Sequence, residues 1–466
     1  MKRRDAIKAM GAMAGAASMS QFLSACANDG DDGPQGITTM VFMMMENRSY
    51  DHYLGVRSWL DGKAGDGLAD GMSNPDIDGN MVAPWPATEA TMCLHPDPPH
   101  GWGSSRTQLN GGENDGFLLA HQGGAVGAIE PMQYMTRQNI PVHHALADAY
   151  TSCDRWFGSV LGPTLPNRMY WHTGTANGST NNQQVLDGAF NGIPSIHHRM
   201  DDAGVDWAYY YGDVPVLGVI DDIPDVESRL RRFYYEFLDD CYYGRLPPVV
   251  HIDPGFGSND DHPPHHPLLG QQLIAATYNA LATSPQWNNC MLVITYDENG
   301  GFYDHVAPPK APDDLAADGF DQLGFRVPAI VVGPYAKQGH VSSVQYDHTS
   351  ALKHIENVHG TEPLTTRSNA ANDLIDCLDL ERLMNNDPAP PITLPAVEVD
   401  ESMLPESCNY GGTFIVQDHD ILVWAETAEG KRKLGDRDRR PYTRDYVYGI
   451  ADYLDKHNLG RIRRGK

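Results

Sequence analysis

Positive charge is scarce in this chain of 466 residues, in which 34 Lys and Arg stand against 61 Asp and Glu and give a formal net charge of −27. This balance argues against nucleic-acid binding along the whole chain, because neutralising phosphates requires clustered Lys and Arg. Apolar runs of the roughly 20 residues needed to span a bilayer are also lacking. The sequence has no Cys-x-x-Cys pair, so a zinc–thiolate site is disfavoured.

Cysteine usage and apolar content fit an exported globular protein. With 41% hydrophobic residues, the chain can bury a large core, and one large α/β domain with an appendage fits its length as well as two domains do. Six cysteines could form up to three disulfides in an oxidising compartment, although spacing alone does not give their pairing. They are Cys93, Cys153, Cys241, Cys290, Cys377 and Cys408.

The first 25 residues predict an export signal, because basic residues precede an uncharged stretch. The paired Arg3 and Arg4 favour the twin-arginine route. Leu-Ser-Ala-Cys, ending at Cys26, resembles the bacterial lipobox, in which the cysteine is lipidated and becomes the mature N-terminus. We therefore expect a periplasmic or cell-envelope lipoprotein held to the membrane through Cys26. The alternative is an ordinary secretory signal followed by a chance cysteine.

Short apolar runs alternate with helical patterns over residues 37–384. Runs at 37–45, 248–252, 291–296 and 327–332 are typical of strands that are buried on both faces of a mainly parallel sheet. Between the second and third runs, apolar residues of segment 266–283 recur at helical spacing. Strand, helix and strand make a βαβ unit. The sequence thus predicts the α/β class, with a mainly parallel central sheet flanked by helices.

Two further regions flank this main domain. Residues 26–36 are acidic and Gly-rich and predict a flexible linker, and residues 385–412, which are rich in Pro, predict a linker or a wrapped arm. Segments 413–416 and 421–424 of the remaining appendage predict a β-hairpin, and a terminal helix is expected around residues 446–457.

The appendage, residues 413–466, ends in a basic tail. From residue 431 onward, 12 Lys or Arg stand against 5 Asp. Such a tail can hold anionic membrane surfaces or dock on the acidic main domain, and we favour docking because an intramolecular charged face is the common case.

Polar residues follow two of the predicted strands. Glu46 and Asn47 stand at the end of the first run, and Asp297 and Glu298 at the end of the third. In open α/β sheets, ligands bind outside the carboxyl ends of the strands, so these groups are expected to converge. Their oxygens would form a hard cage for a divalent cation. The alternative is that they are ordinary turn formers that face water.

Thr164 stands before a predicted helix, with Pro166 in its first turn. As an N-cap residue, its hydroxyl would face the positive end of the helix dipole, which attracts phosphate. Thr164 could simply cap the helix, and both roles can hold, because a hydroxyl beside a divalent metal becomes a nucleophile. His100, His262 and His348 could stabilise a phosphoryl group and protonate a leaving alcohol, but the sequence alone ranks none of them.

Several motifs together match one family. They are Met-Met-Met-Glu-Asn-Arg-Ser-Tyr-Asp-His-Tyr-Leu-Gly (43–55), His-Gly-Trp (100–102), Asn-Asp-Gly-Phe (114–117), Gly-Pro-Thr-Leu-Pro-Asn-Arg (162–168), Asp-Asp-His-Pro (260–263), Thr-Tyr-Asp-Glu-Asn-Gly-Gly-Phe-Tyr-Asp-His-Val (295–306) and Tyr-Asp-His-Thr-Ser (346–350). In this order, over roughly residues 37–360, the set resembles the bacterial phosphoesterase family that joins phospholipases C and acid phosphatases within the alkaline-phosphatase-like superfamily.

The resemblance implies a role for each matching residue. The positions of the family's metal ligands match Glu46, Asn47, Asp297 and Glu298. Thr164 occupies the nucleophile position, and its oxygen is expected to contact the metal as well. The positions around the phosphate match His100, Asp261, His262 and His348. The aspartate of this second set is uncertain by one residue, between Asp260 and Asp261.

The implied activity is that of a metal-dependent phosphoric-ester hydrolase with a phosphothreonine intermediate. We expect one divalent metal ion, with Mg, Ca or Mn favoured by the oxygen ligands and iron or zinc possible. The substrate is a phosphoester, of either the phospholipid diester or the soluble monoester kind. Phosphocholine-specific phospholipases C of the family carry long C-terminal β domains, which the roughly 100 residues after the shared motifs do not match. This argues against strict phosphatidylcholine specificity and leaves acid phosphatase as the alternative.

Two further alternatives come from other classes. A substrate-binding lipoprotein without turnover would have no need of an aligned nucleophile, so the intact Thr164 argues against it. A sulfatase-like hydrolase would require a Cys-x-Pro-x-Arg motif, which this sequence lacks.

Overall fold

A computed structural model describes residues 36–93, 97–122, 128–401, 419–435 and 442–463 of the chain. The strands in chain order are β1 (Thr39–Met45), β2 (Asn74–Pro75), β3 (Met81–Val82), β4 (Trp85–Pro86), β5 (Gln133–Tyr134), β6 (Thr151–Cys153), β7 (Trp207–Tyr211), β8 (Leu230–Arg232), β9 (Val249–Asp253), β10 (Cys290–Tyr296), β11 (Ala329–Val332), β12 (Val341–Ser342), β13 (Val397–Asp400) and β14 (Gly460–Arg463).

Eight of these strands form one sheet in the order β12-β6-β11-β10-β1-β9-β7-β8. Strand β1 runs parallel to both of its neighbours, β10 and β9, and all seven of its residues are buried. Continuous apolar sequence is what a strand covered on both faces requires. Strand β11 is the exception, because it lies antiparallel to β10 and β6. The predicted mainly parallel α/β sheet is confirmed, and the four apolar runs correspond to β1, β9, β10 and β11.

Helices cover this sheet. They are α1 (Tyr50–Tyr53), α2 (Val56–Trp59), α3 (Trp102–Leu109), α4 (Phe117–Gln122), α5 (Pro141–Ala149), α6 (Thr164–Thr173), α7 (Asn182–Gln184), α8 (Ile196–Asp202), α9 (Val226–Arg229), α10 (Leu238–Tyr243), α11 (Pro267–Ala282), α12 (Thr349–His359), α13 (Thr366–Ala370), α14 (Leu380–Asn385), α15 (Asp420–Ala425), α16 (Ala428–Leu434) and α17 (Tyr442–Lys456). None of the helices in the described residues combines the length and apolar character of a membrane span.

Helix α11 connects β9 to β10, as predicted, and β1 lies between these two strands. Pro267 occupies the first turn of α11, where its missing N–H costs no hydrogen bond. His266 caps the helix by accepting a hydrogen bond from the Leu268 N–H. Most of α11 is buried, so the crossover helix is part of the core and fixes the spacing of the strand ends that carry the candidate site.

The hairpin prediction for segment 421–424 is wrong, because these residues lie in helix α15. Ile421, Trp424 and Ala425 are buried and recur at the i, i+3, i+4 spacing of one helix face. Four consecutive apolar residues fit a helix as well as a strand, so the pattern did not decide between them. The other half of the predicted hairpin, 413–416, lies outside the described residues.

The C-terminal part of the chain packs on the main domain. The predicted terminal helix is confirmed as α17, and β14 after it pairs in parallel with β13, which lies inside the predicted linker 385–412. Lys433 Nζ of the basic tail lies 3.1 Å from Asp221 Oδ1, and Arg461 Nη2 lies 3.3 Å from Glu398 Oε1. These ion pairs hold the appendage against other parts of the chain, as the docking prediction expects. The export signal 1–25 and Cys26 lie outside the described residues.

The cysteines give fewer disulfides than the sequence allowed. Cys93 is disulfide-bonded, whereas Cys153, Cys241, Cys290 and Cys377 are free and buried. Cys408 lies outside the described residues. Because four of the six cysteines are free thiols, this structure does not contain three disulfides. Buried free cysteines serve instead as small apolar side chains in the core.

Candidate active site

Two parallel strands end side by side at the candidate site. Glu46 and Asn47 follow β1, and Asp297 and Glu298 follow β10, whose last residue is the register partner of the last residue of β1. The Asn47 N–H donates to Asp297 Oδ1 at 2.9 Å, across 250 positions of sequence. All four side chains are buried. The structure therefore brings together the four residues that the sequence placed at strand ends.

Two tight turns hold these side chains in place. Asn47 has φ +60° and Gly300 has φ +59°, a left-handed conformation that Asn and Gly adopt more readily than other residues. A Cβ atom at Gly300 would lie 2.2 Å from the Asn47 carbonyl oxygen, so only glycine allows the two turns to touch. The Gly300 N–H donates to Glu298 Oε2 at 2.7 Å, which orients that carboxylate.

Three buried oxygens at this edge accept no hydrogen bond from the described residues, namely Asn47 Oδ1, Asp297 Oδ2 and Glu298 Oε1. A buried polar atom without a partner costs about 1–3 kcal/mol, and more when it is charged. Burial, together with nearby Glu46, raises the pKa of Asp297 to about 7. Burial also raises the pKa of Glu298. Carboxylate and amide oxygens are the ligands that hard divalent cations prefer, so the chemistry of this donor set fits such an ion.

Glu46 is in a different environment, because each of its oxygens already has a cationic partner. Arg168 Nε donates to Oε1 at 3.2 Å, and His419 Nε2 lies 2.9 Å from Oε2. Although burial raises its pKa, the charges of His419 and Arg168 hold the pKa of the Glu46 carboxyl well below its usual range. Glu46 is therefore an ionised carboxylate beside the three oxygens that lack hydrogen bonds. Its role as a metal ligand stays a prediction.

Thr164 is the first residue of helix α6, and Pro163 is the N-cap. The sequence had placed Thr164 at the N-cap, so this prediction is wrong by one residue; Pro166 lies in the first turn as expected. The preceding loop approaches the β10 turn, because a Cβ atom at Gly158 would lie 3.5 Å from the Asp297 carbonyl oxygen. The loop that precedes α6 is thus beside the turn that carries Asp297.

Asn167 fixes the loop before Thr164. Its Nδ2 donates to the carbonyl oxygens of Gly162 at 2.9 Å and Pro163 at 3.2 Å. Its Oδ1 accepts from the Val160 N–H at 3.0 Å. A single amide side chain therefore folds the loop back onto the helix that follows, and this holds the Thr164 backbone in one position.

Arg168, one turn after Thr164, connects helix α6 to the strand ends. Besides Glu46, it donates from Nη1 to Asp253 Oδ1 at 3.0 Å, and its Nε lies 3.6 Å from Asp297 Oδ2. Its Nη2 donates to the carbonyl oxygens of residues 44 and 45 at 3.2 and 3.1 Å. This fork ties the helix that begins with Thr164 to the carboxylates that follow β1 and β10.

Two of the predicted histidines lie beside this edge. His100 Nδ1 donates to the Pro98 carbonyl oxygen at 2.8 Å, so its Nε2 faces Asn47 Nδ2 at 3.3 Å and Glu298 Oε1 at 4.0 Å. The His262 ring lies edge-on to His100, with centroids 5.5 Å apart. Their ligand atoms and those of Asp97 lie within 4.8 Å of one another. The structure therefore brings His100 and His262 together at the rim of the candidate site.

His348 supports the site from the inside. Its Nε2 donates to the Asp297 carbonyl oxygen at 2.6 Å, and its Nδ1 accepts from the Trp156 indole N–H at 3.4 Å. Burial lowers the pKa of His348 to about 4. With both ring nitrogens engaged by protein, His348 orients the Asp297 turn in this structure, and its predicted contact with phosphate stays a prediction.

The two adjacent aspartates point in different directions. Asp261 Oδ2 accepts the Tyr296 hydroxyl at 2.5 Å, which turns this predicted residue toward the core and away from the strand ends. Asp260 Oδ1 accepts from the His262 N–H at 2.9 Å, and burial together with Glu46 raises its pKa. Of the two, Asp260 is therefore the one whose carboxylate lies near Glu46, which the sequence left open.

His419 is a site residue that sequence reasoning missed. It comes from the C-terminal appendage, 373 positions away from Glu46, whose Oε2 it contacts. Its Nδ1 lies 3.3 Å from the Ile421 backbone nitrogen, and its Nε2 carries the proton that Glu46 receives. Glu46, His262 and His419 form a group whose ligand atoms lie within 4.8 Å. A single histidine between the two segments of the predicted hairpin belongs to no motif that would have marked it as a site residue.

The contact between His419 and Glu46 predicts a positioning role. We expect His419→Ala to lower kcat/KM about 10-fold and to weaken metal affinity by a similar factor, because removing a hydrogen bond to a ligating carboxylate typically costs 10–100-fold. His419→Gln, which keeps a donor, should recover part of the loss. Steady-state rates and metal titrations measure both effects. His457→Ala, which replaces an exposed histidine directly after α17, is the control, and equal behaviour of the two alanine variants would contradict the role.

A model of the phosphoesterase family matches residues 37–362 of the chain. Non-specific phospholipase C6 of Arabidopsis thaliana is 32% identical over 359 residues, which cover 67% of this chain and 66% of that protein. Phospholipase C A of Mycobacterium tuberculosis is 31% identical over 386 residues, which cover 68% of this chain and 72% of that protein. The match thus spans about two thirds of the plant protein's length.

Solved structures give a more distant likeness. A protein in the alkaline phosphatase superfamily from Vibrio parahaemolyticus aligns with a TM-score of 0.38 and 9% sequence identity, and the alignment covers 79% of each chain.

Proposed function

Because this chain belongs to the phosphoesterase family and is a phosphoric-ester hydrolase, we propose that it cleaves phosphodiesters in the manner of a phospholipase C. The proposed reaction depends on a divalent metal ion and passes through a phosphothreonine at Thr164. Relatives named as phospholipases C, from a plant and from a mycobacterium, support a phospholipid as the substrate. Anchoring through a lipidated Cys26 stays a prediction that would bring the enzyme to such a substrate.

The observation that carries the proposal is the set of three buried, unpartnered oxygens of Asn47, Asp297 and Glu298. These residues, with Glu46 beside them, would hold the metal ion. A bound divalent ion would lower the pKa of the threonine hydroxyl and offset the negative charge of the phosphoryl group. The start of helix α6 adds the partial positive charge of its dipole, which favours a phosphate next to Thr164.

The chain's own residues account for the remaining steps. Thr164 Oγ1 gives its proton to a water molecule and forms a bond to phosphorus, while the bond from phosphorus to the alcohol oxygen breaks. The departing alcohol takes up a proton, which the imidazole of His100 at the rim of the site can donate. Water then attacks phosphorus, and the phosphothreonine bond breaks to restore Thr164. The buried Arg168 holds the Thr164 helix against the ligand carboxylates throughout.

The test is an assay of the purified chain on p-nitrophenylphosphorylcholine and p-nitrophenyl phosphate, with and without a chelator. We expect the diester to be the better substrate, and the chelator to lower the rate at least about 100-fold, with recovery on adding metal. Preference for the monoester would move the assignment to acid phosphatase. Hydrolysis of neither substrate with metal present would contradict the proposal, and so would a rate that the chelator does not change.

A further inference from the structure

Three histidines meet in the core on the sheet face beneath helix α6. His172 lies in the last turn of α6, His197 lies in α8, and His251 is the central residue of strand β9. Each is at most 1% exposed. One ligand nitrogen from each lies within 4.8 Å of the others. No step proposed for the candidate active site uses them.

Their ring nitrogens lack hydrogen-bond partners. Nδ1 of His172, and both nitrogens of His197 and His251, are buried and make no hydrogen bond with the described residues. A neutral imidazole has one donor and one acceptor, and each one left unsatisfied in the interior costs about 1–3 kcal/mol. Five such atoms in one place are therefore expensive unless something else occupies the space between the rings.

Aromatic packing alone does not remove this cost. The His251 ring stacks between Phe42 and Tyr209, with centroids 5.6 and 6.1 Å away, and the His197 ring lies edge-on to Trp207 at 4.4 Å. These contacts bury the carbon faces of the imidazoles and fix their orientation. They supply no acceptor or donor for the ring nitrogens, which point away from the stacking faces in the plane of each ring.

The spacing of the rings fits one ion between them. The centroid distances are 5.5 Å for His172 and His197, 5.4 Å for His172 and His251, and 5.0 Å for His197 and His251. Three imidazoles bound tetrahedrally to one ion, at about 2.0–2.1 Å from nitrogen to metal, place their ring centres roughly 5 Å apart.

The chemistry of the set selects the kind of ion. An all-imidazole set suits zinc and its neighbours in the transition series, whereas Mg and Ca prefer oxygen. Burial lowers the pKa of all three histidines, so they are neutral and able to ligate. Asp253 lies two residues after His251 on the same face of β9. Its Oδ2 accepts the Tyr209 hydroxyl, and its Oδ1 accepts from Arg168 Nη1.

We propose that His172, His197 and His251 bind one transition-metal ion of the zinc type, at a structural site separate from the candidate active site. The ion joins the last turn of α6 to α8 and β9. Because α6 begins with Thr164, the site fastens the far end of the helix that presents the proposed nucleophile.

The experiment separates this site from the active site by removing the latter. The full chain with Asp297→Asn and Glu298→Gln is stripped with chelator and titrated with Zn²⁺ and with Co²⁺. We expect one bound equivalent by elemental analysis, a visible Co²⁺ absorption band typical of tetrahedral nitrogen ligands, and a rise in Tm with Zn²⁺. Absence of bound metal in this folded double variant would overturn the proposal, whatever the activity of the parent chain.

A second variant tests the ligands themselves. Adding His197→Phe to the same double variant keeps the volume of the ring but removes its nitrogens, and we expect the bound equivalent, the Co²⁺ band and the Tm rise to be lost. The matched control is His144→Phe in α5, a buried histidine whose ring nitrogens also lack hydrogen-bond partners in the described residues, and it should retain all three. Equal metal content in the two phenylalanine variants would count against the site, as would loss in both.

Discussion

Replacing Thr164 by alanine is expected to lower kcat by roughly 10³-fold or more, because loss of a nucleophile abolishes the covalent route and leaves only the binding groups. The fold should persist. Thr164 is the first residue of α6 and the N-cap is Pro163, and alanine favours a helix more than threonine does. Initial rates on p-nitrophenylphosphorylcholine measure the loss, and a thermal melt with an unchanged Tm shows that folding is intact.

Thr164→Ser is the matched control for the nucleophile. It retains a hydroxyl at the same position and is expected to keep most of the rate, whereas Thr164→Val keeps the shape without the hydroxyl and should behave like the alanine variant. In the parent enzyme, acid quenching during turnover should trap one phosphoryl group on the peptide that contains Thr164. Wild-type rates in Thr164→Ala would exclude the covalent mechanism.

Replacing Arg168 by methionine is expected to destabilise the chain by about 3–5 kcal/mol, the usual result of removing one partner from a buried ion pair. Arg168 is 1% exposed and pairs with Glu46 and Asp253 through different nitrogens. Methionine would leave the buried Asp253 without its cation and Glu46 with His419 alone. Arg168→Lys should recover little, because a single ammonium group cannot reproduce the fork. Denaturant unfolding measures the change.

The control for Arg168 is Arg155, whose side chain is 30% exposed and pairs with Asp66. Arg155→Met should cost less than about 1 kcal/mol, because exposed ion pairs contribute little. Unfolding is to be followed with and without metal, since a bound cation adds positive charge near Glu46 and Asp297 and should reduce the effect of Arg168→Met. Equal destabilisation by the two methionine variants would show that burial of the Arg168 pairs contributes nothing.

Local sequence determined the elements that carry the site. The runs that became β1 and β10 are almost continuously apolar, as expected for strands covered on both sides. The acidic pairs stand directly after these runs, and parallel strands bring their carboxyl ends to one edge. The meeting of Glu46 and Asn47 with Asp297 and Glu298 followed from these two facts, despite the long separation in the chain.

The local sequence did not predict the structure where the outcome depends on distant partners or on a single backbone angle. Ile421 in its short apolar run fitted helix and strand equally. Asp260 and Asp261 differ by one position, and the left-handed φ of +76° at Asp261 sends its carboxylate to Tyr296. His419 reaches Glu46 only because the appendage folds back over the site.

The sequence by itself therefore determined the α/β sheet and which of its strands end in polar residues. It also determined the chemistry of the oxygens at those strand ends, because all of these depend on patterns a few residues long. The tertiary structure alone decided which side chains face those oxygens: Arg168 and His419 on Glu46, His348 behind the Asp297 turn, and three histidines from α6, α8 and β9 gathered in the core. Contacts between segments far apart in the chain leave no local pattern, because each residue fits its own helix or strand equally well whether or not the distant partner is present.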